Sequence, residues 1–71
     1  MHPLASTIER DGIYTINEAA DLLKIHPRSV WRWLKDGDLN GARIGRFWRI
    51  SGEDLLEYIQ RQTDRARGGA T

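Results

Sequence analysis

Cysteine is absent from this chain of 71 residues, and long apolar runs are absent as well. Without cysteine there are no disulfides or thiolate metal sites, a composition that fits a reducing cytoplasm. No apolar run is long enough to predict a membrane-spanning helix, and the first residues lack the pattern of a signal peptide. The length predicts one small domain with a marginal core.

The residue combinations that enzymes need are missing too. No nucleophile has an adjacent base, no glycine loop could hold a phosphate, and no carboxylate pair suggests a cleft. His2 and His26 are isolated and have no metal-site spacing. The sequence therefore predicts a protein that is not an enzyme and uses no metal or cofactor.

Charge is distributed unevenly, although the net charge is only +1. Residues 24–49 contain seven basic and two acidic residues, a net of +5, whereas the rest of the chain contains four basic and eight acidic residues. A basic middle and an acidic remainder indicate one surface that faces an anion. A solvated surface of mixed charge is the alternative reading.

Capping signals predict two helices separated by a tight turn. Thr15 and Glu18 form a capping-box pattern ahead of a helix over residues 16–24. His26 at the cap position and Pro27 at the first helical position open a second helix over residues 27–36. Gly37 follows where a left-handed terminating residue is expected. This arrangement is a helix-turn-helix.

A short β-hairpin follows, because residues 42–44 and 48–50 alternate apolar and basic side chains. A loop of three residues, 45–47, is the favoured register, since it turns Ile44, Trp48 and Ile50 inward. The same register turns Arg43 and Arg49 outward together. A two-residue turn would instead pair Ile44 with Phe47 and remains the alternative.

Ser51 and Asp54 give a second capping signal, and apolar residues at helical spacing then predict a third helix that ends between residues 62 and 67. The predicted organisation is a flexible N-terminal arm over residues 1–12, a domain over residues 13–65 and a disordered tail over residues 66–71. Ile8 or Ile13 is expected to touch the body of the domain.

Four segments carry a family resemblance: YTINEAADLL at residues 14–23, RSVWRWL at 28–34, ARIGRFWRI at 42–50 and EDL at 53–55. In this order they resemble the excisionase-type winged helix-turn-helix family, which is related to the DNA-binding domains of MerR-like regulators. The resemblance covers residues 13–61. It implies a mainly α-helical fold with a small β-hairpin wing. The chain departs from the pattern at Pro27, and at Phe47, where a basic residue is common.

The resemblance also implies how the domain binds DNA, with the second helix in the major groove and the wing along the minor groove or backbone. Family members include recombination directionality factors, which bend DNA, and small prokaryotic or phage transcription regulators. The chain is accordingly expected to be a cytoplasmic, nucleoid-associated protein that binds double-stranded DNA. An integrase and further copies of the chain on DNA are the expected partners, and the free protein is expected to be mainly monomeric.

The candidate DNA-binding residues follow from helical and strand periodicity. Arg28, Arg32 and Lys35 share one face of the second helix, opposite an apolar face. Ser29 and Trp31 flank that face, and each also has a structural interpretation, as a capping or a packing residue. The remaining candidates are Thr15, which directs the first helix's amino end toward a phosphate, and the wing residues Arg43, Arg46 and Arg49.

A function of another class also remains open. Phe47, Trp31 and the third helix could hold a protein, as in an adaptor or an antitoxin-like fragment. Phe47 and the arginines within residues 61–67 are further candidates for contacts between neighbouring copies on DNA.

Overall fold

A computed structural model describes residues 7–68 of the chain. In chain order its elements are β1 (Ile13–Tyr14), α1 (Ile16–Leu23), α2 (Pro27–Asp36), β2 (Ala42–Ile44), β3 (Phe47–Ser51) and α3 (Gly52–Gly68). The three strands form an antiparallel sheet in which β3 lies between β1 and β2. The fold is a winged helix-turn-helix, as predicted, and the short strand β1 is an addition to the predicted hairpin.

Local capping chemistry fixes the ends of α1 and α2. The Thr15 hydroxyl accepts from the Glu18 N–H at 3.0 Å, and the Glu18 carboxylate accepts from the Thr15 N–H at 2.9 Å. Nδ1 of His26 accepts from the Arg28 N–H at 3.0 Å, and Gly37 ends α2 with φ of 84°. These contacts satisfy amides and carbonyls that a helix leaves unpaired at its ends. The predicted capping box, histidine cap and glycine terminus are confirmed.

The core forms where α1, α2, β3 and α3 meet. Ala19 and Ala20 are fully buried, and their small side chains let α2 approach α1 closely. Trp33 and Trp48, both predicted as core residues, are half-buried and pack against the core. The remaining buried side chains are Ile8, Val30, Leu34, Leu39, Ile50, Leu55 and Tyr58.

The chain before β1 differs from the predicted flexible arm in residues 7–12. Ile8 is only 5% exposed and belongs to the core, whereas Ile13 is 63% exposed. The carbonyls of Gly12 and Arg10 accept the N–H groups of Gly52 and Glu53 at 2.8 and 3.1 Å. This segment packs on the body because it buries an apolar side chain and provides acceptors for the first-turn amides of α3. Residues 1–6 of the predicted arm lie outside the described residues.

The other end of the chain also differs from the prediction. Helix α3 continues to Gly68, so residues 66–68 of the predicted disordered tail are helical. Within this helix the Gln60 amide donates to the Asp64 carboxylate at 2.9 Å, one turn along. Residues 69–71 lie outside the described residues.

The favoured register of the hairpin is wrong. Ile44 pairs with Phe47 across a two-residue turn, and Arg43 pairs with Trp48. Gly45 occupies the first central position with φ of 64°, the arrangement of a type II′ turn, which follows the twist of the strands. Arg43 therefore shares a face with Trp48, while Arg49 lies on the opposite face, and Ile44 is 64% exposed rather than buried.

Candidate nucleic-acid interface

A groove lies between the amino end of α1, the exposed face of α2 and the β2–β3 hairpin, which we call the wing. Among the described residues that line this groove, six are cationic and none is Asp or Glu. We refer to it as the basic groove. Its cationic side chains are those of Arg28, Arg32, Lys35, Arg43, Arg46 and Arg49.

Helix α2 contributes half of these cations because one of its faces is apolar and buried, whereas the opposite face is basic and exposed. Val30 and Leu34 are buried in the core and fix the rotation of the helix. The opposite face, which carries Arg28, Arg32 and Lys35, is therefore exposed and lines the basic groove. At the end of the helix, Trp33 packs against Tyr58 of α3, with ring centroids 4.7 Å apart and a tilt of 31°.

Trp31 lies on the exposed side of α2 and also lines the basic groove. Its side chain is 45% exposed, and Nζ of Lys35 lies 4.9 Å from its ring centroid. This cation–π contact leaves much of the aromatic surface accessible. Thr15 lines the groove as well, and its hydroxyl is used by the capping box of α1.

Ser29 is not among the residues that line the groove. It is half-buried, and its N–H donates to the His26 carbonyl at 2.9 Å in the first turn of α2. This bond uses only the backbone of Ser29, and the cap of α2 is the His26 side chain.

The wing brings three arginines to the groove from different positions on the hairpin. Arg46 lies in the turn, and Arg43 shares a face with Trp48. The Arg49 guanidinium donates to the Trp48 carbonyl at 2.9 Å and lies 5.6 Å from the Phe47 ring centroid. Arg49 is thus held in place by neighbours on its own strand. All three line the groove, although Arg43 and Arg49 do not point to one side together.

Several groove residues were not among the predicted site residues. Asn17 is an exposed amide in the first turn of α1, and Pro27 is the first residue of α2. Phe47 is 63% exposed on the wing. Asn17 could have been found from the sequence, since it lies within the capping box that directs the amino end of α1 toward the groove.

Tyr58 lies outside the groove, on α3, and its pKa is raised. Burial raises the pKa of the Tyr58 hydroxyl, the nearby Asp38 carboxylate raises it further, and Arg61 and Arg65 partly offset this rise. Arg61 also donates to the Asp38 carbonyl at 2.6 Å and lies 5.7 Å from the Tyr58 ring centroid. These contacts join α3 to the chain that follows α2, so Tyr58 has a structural role.

Within residues 7–68 no group of three or more His, Asp and Glu side chains is placed to hold a metal ion. Across the same residues no helix is both long enough and apolar enough to cross a membrane.

The chain is similar in sequence to known proteins. A model of the helix-turn-helix domain family matches residues 13–63, well over half of the chain. The chain is 33% identical over 64 residues to the early upstream open reading frame protein of Chlamydophila psittaci, covering 84% of this chain and 35% of that protein. It is 44% identical over 45 residues to the uncharacterized protein YvgK of Bacillus subtilis, covering 63% and 15% respectively.

A third relative is the putative antitoxin VapB50 of Mycobacterium tuberculosis, 42% identical over 55 residues, with 78% of this chain and 42% of that protein covered. The chain thus spans less than half the length of each of these three curated relatives. No solved structure matches it.

Proposed function

Because the chain belongs to the helix-turn-helix domain family, we propose that it binds double-stranded DNA in the basic groove. The observation that carries the proposal is the set of six cations from α2 and the wing, with no Asp or Glu among the described lining residues. Arginine and lysine neutralise phosphates and release counterions from the duplex. An exposed helix such as α2 fits the major groove, where base edges are readable.

The groove residues fall into groups according to the part of DNA, base edge or phosphate, that each side chain can contact. Arg28 and Arg32 can each donate two hydrogen bonds to O6 and N7 of guanine, whereas Lys35 is better suited to a phosphate. The wing arginines follow the minor groove or the backbone, where a narrow minor groove attracts arginine. A phosphate at the amino end of α1, beside Thr15, and a thymine-methyl contact from Trp31 complete the proposed interface, whereas Ser29 does not line the groove and is left out of it.

The biological role that fits this interface best is that of an excisionase-like factor, which positions and bends DNA for recombination. A small transcription regulator of MerR-like type would use the same interface and is the alternative within this class. Both roles place the protein on the nucleoid, and the first adds an integrase as a partner.

Arg32→Ala is expected to weaken duplex binding by about 1–3 kcal/mol and to relax the preference at one or two base pairs. Arg32 lies midway along the exposed face of α2, where side chains reach base edges. Arg46→Ala, at the turn of the wing, is expected to weaken binding to all sequences more evenly. Selection of bound duplexes from a random pool, followed by titration of the selected duplex, measures both effects.

Arg10→Ala is the matched control for these two variants, because Arg10 is an exposed arginine outside the basic groove. Its affinity and sequence preference should equal those of the wild type. Equal losses of affinity for Arg32→Ala and Arg46→Ala, with sequence preference unchanged in both, would contradict the division of roles. Failure of the wild type to bind duplex DNA at low salt would contradict the proposed function itself.

The free protein is expected to sediment as a monomer and to load in several copies on a long natural site. One α2 helix and one wing contact about half a turn to one turn of duplex, and so small an interface discriminates poorly among competing sites. Sedimentation of the free protein, followed by titration of a long duplex, tests this expectation. A tight dimer without DNA, or strictly one copy per long site, would overturn it.

A second candidate function, from another class, is that of an antitoxin-like module that holds a protein. The relative named as a putative antitoxin favours it. Trp31 and Phe47, which are exposed, provide apolar surface for such a contact. Absence of a mobility shift with random duplex DNA at high protein concentration and low salt would favour this candidate over DNA binding.

A further inference from the structure

The tip of the wing carries two large apolar side chains that the fold leaves exposed. Ile44 and Phe47 are 64% and 63% exposed, and they flank the two-residue turn as direct cross-strand partners. Residues that face each other across an antiparallel pair project side by side from the same face of the sheet. Together they form one apolar projection, which we call the apolar tip.

Two arginines lie next to the apolar tip. Arg46 separates its two residues in the turn, and the Arg49 guanidinium lies 5.6 Å from the Phe47 ring centroid. Phe47 also lines the basic groove together with Arg28 and Arg32 of α2. The surface that covers the apolar tip must therefore be anionic at its edges and apolar at its centre. A base-pair step between two rows of phosphates has that character.

We propose that the apolar tip is a wedge that enters the minor groove and partly unstacks one base-pair step. This inference rests on the proposed binding of double-stranded DNA, and it names the device that bends the duplex. Apolar side chains inserted between base pairs kink DNA by about 20–90° toward the major groove. Arg46 and Arg49 hold the phosphates and the narrow groove on either side of the wedge.

The wedge has a consequence for the choice of site. Pyrimidine–purine steps unstack more easily than other steps, so the position beneath the wing should favour them without any hydrogen bond to a base. A duplex recovered by selection should therefore carry such a step at a fixed distance from the positions that α2 reads.

Fluorescence of 2-aminopurine tests the wedge directly, because unstacking of this base raises its emission. The probe is the selected duplex, with 2-aminopurine in place of each adenine in turn and protein at saturation. The wild type is expected to raise emission at a single step, and Phe47→Ala is expected to lose that rise. Phe47→Leu, which keeps an apolar side chain, should retain it. The exposure of Phe47 means that these variants keep the core, which circular dichroism checks.

Arg46→Ala is the matched control, since it changes the neighbouring residue and removes charge without removing the apolar tip. It should bind more weakly and still raise emission fully once saturated. Wild-type binding without any rise in emission would overturn the wedge and leave the proposed DNA binding intact, whereas no binding at all would overturn both. A Phe47→Ala variant that keeps the rise but no longer loads further copies would assign the tip to protein contacts and overturn the wedge.

Discussion

Truncation of Leu39 to alanine is expected to lower the free energy of unfolding by about 2–5 kcal/mol. Leu39 is 1% exposed and is one of the largest fully buried side chains among the described residues, although it lies outside every helix and strand. The N–H groups of Asp38 and Leu39 both donate to the Trp33 carbonyl, at 2.9 and 3.2 Å, and hold this segment against the end of α2. Because these bonds restrain its backbone, the segment cannot shift freely to fill the cavity that the substitution leaves.

The effect is large for a domain of this size. Total stability of about 0.05–0.15 kcal/mol per residue gives this chain about 4–11 kcal/mol. Urea unfolding followed by tryptophan fluorescence measures the change, since Trp33 and Trp48 both pack against the core. Ile44→Ala is the control, because Ile44 is 64% exposed and its truncation should stay within about 0.5 kcal/mol of the wild type. Equal shifts of the two variants would show that Leu39 does not support the core.

Affinity for duplex DNA is expected to fall roughly 250–1,000-fold between 50 and 200 mM salt, if about five of the groove cations contact phosphates. This corresponds to a slope of about −4 to −5 in a plot of log affinity against log salt. The six cations of the basic groove supply these contacts. Fluorescence anisotropy of a labelled duplex across a salt series measures the slope.

Variants that replace one arginine by uncharged glutamine show which residues contribute to the slope of log affinity against log salt. Arg43→Gln and Arg46→Gln should each reduce its magnitude by about one. Arg10→Gln should leave it unchanged, because Arg10 lies outside the groove, with a guanidinium nitrogen 3.9 Å from the Glu53 carboxylate. A wild-type slope near zero, or an equal reduction in the Arg10→Gln variant, would rule out the electrostatic account of the groove.

The helix ends could be predicted from the sequence because their chemistry is local. A capping box involves residues only three apart, so Thr15 and Glu18 predict the start of α1 without knowledge of the fold. The period of α2 likewise separates its buried face from Arg28 and Arg32. The residues that α2 contributes to the basic groove could therefore be predicted from the sequence of this helix alone.

The remaining features depend on contacts that are distant in sequence. Leu39 stands in a polar stretch without periodicity, and only its burial in the folded chain shows that it belongs to the core. The hairpin register was predicted because a three-residue loop would bury Trp48 and turn Arg43 and Arg49 outward together, whereas the two-residue turn at Gly45 separates the two arginines and leaves Ile44 exposed. The three wing arginines were predicted from the sequence, but the faces of the hairpin on which Arg43 and Arg49 lie were not.

Residues 7–12 determine where the chain enters the domain. They run beside the first turn of α3 so closely that a Cβ at Gly52 would collide with the Glu9 carbonyl oxygen. Neither this segment nor α3 lines the basic groove. A domain fused ahead of residue 7 would therefore be joined to a segment that does not line the groove. Fusion of a second domain at this end would thus change none of the residues through which we propose that the chain binds DNA.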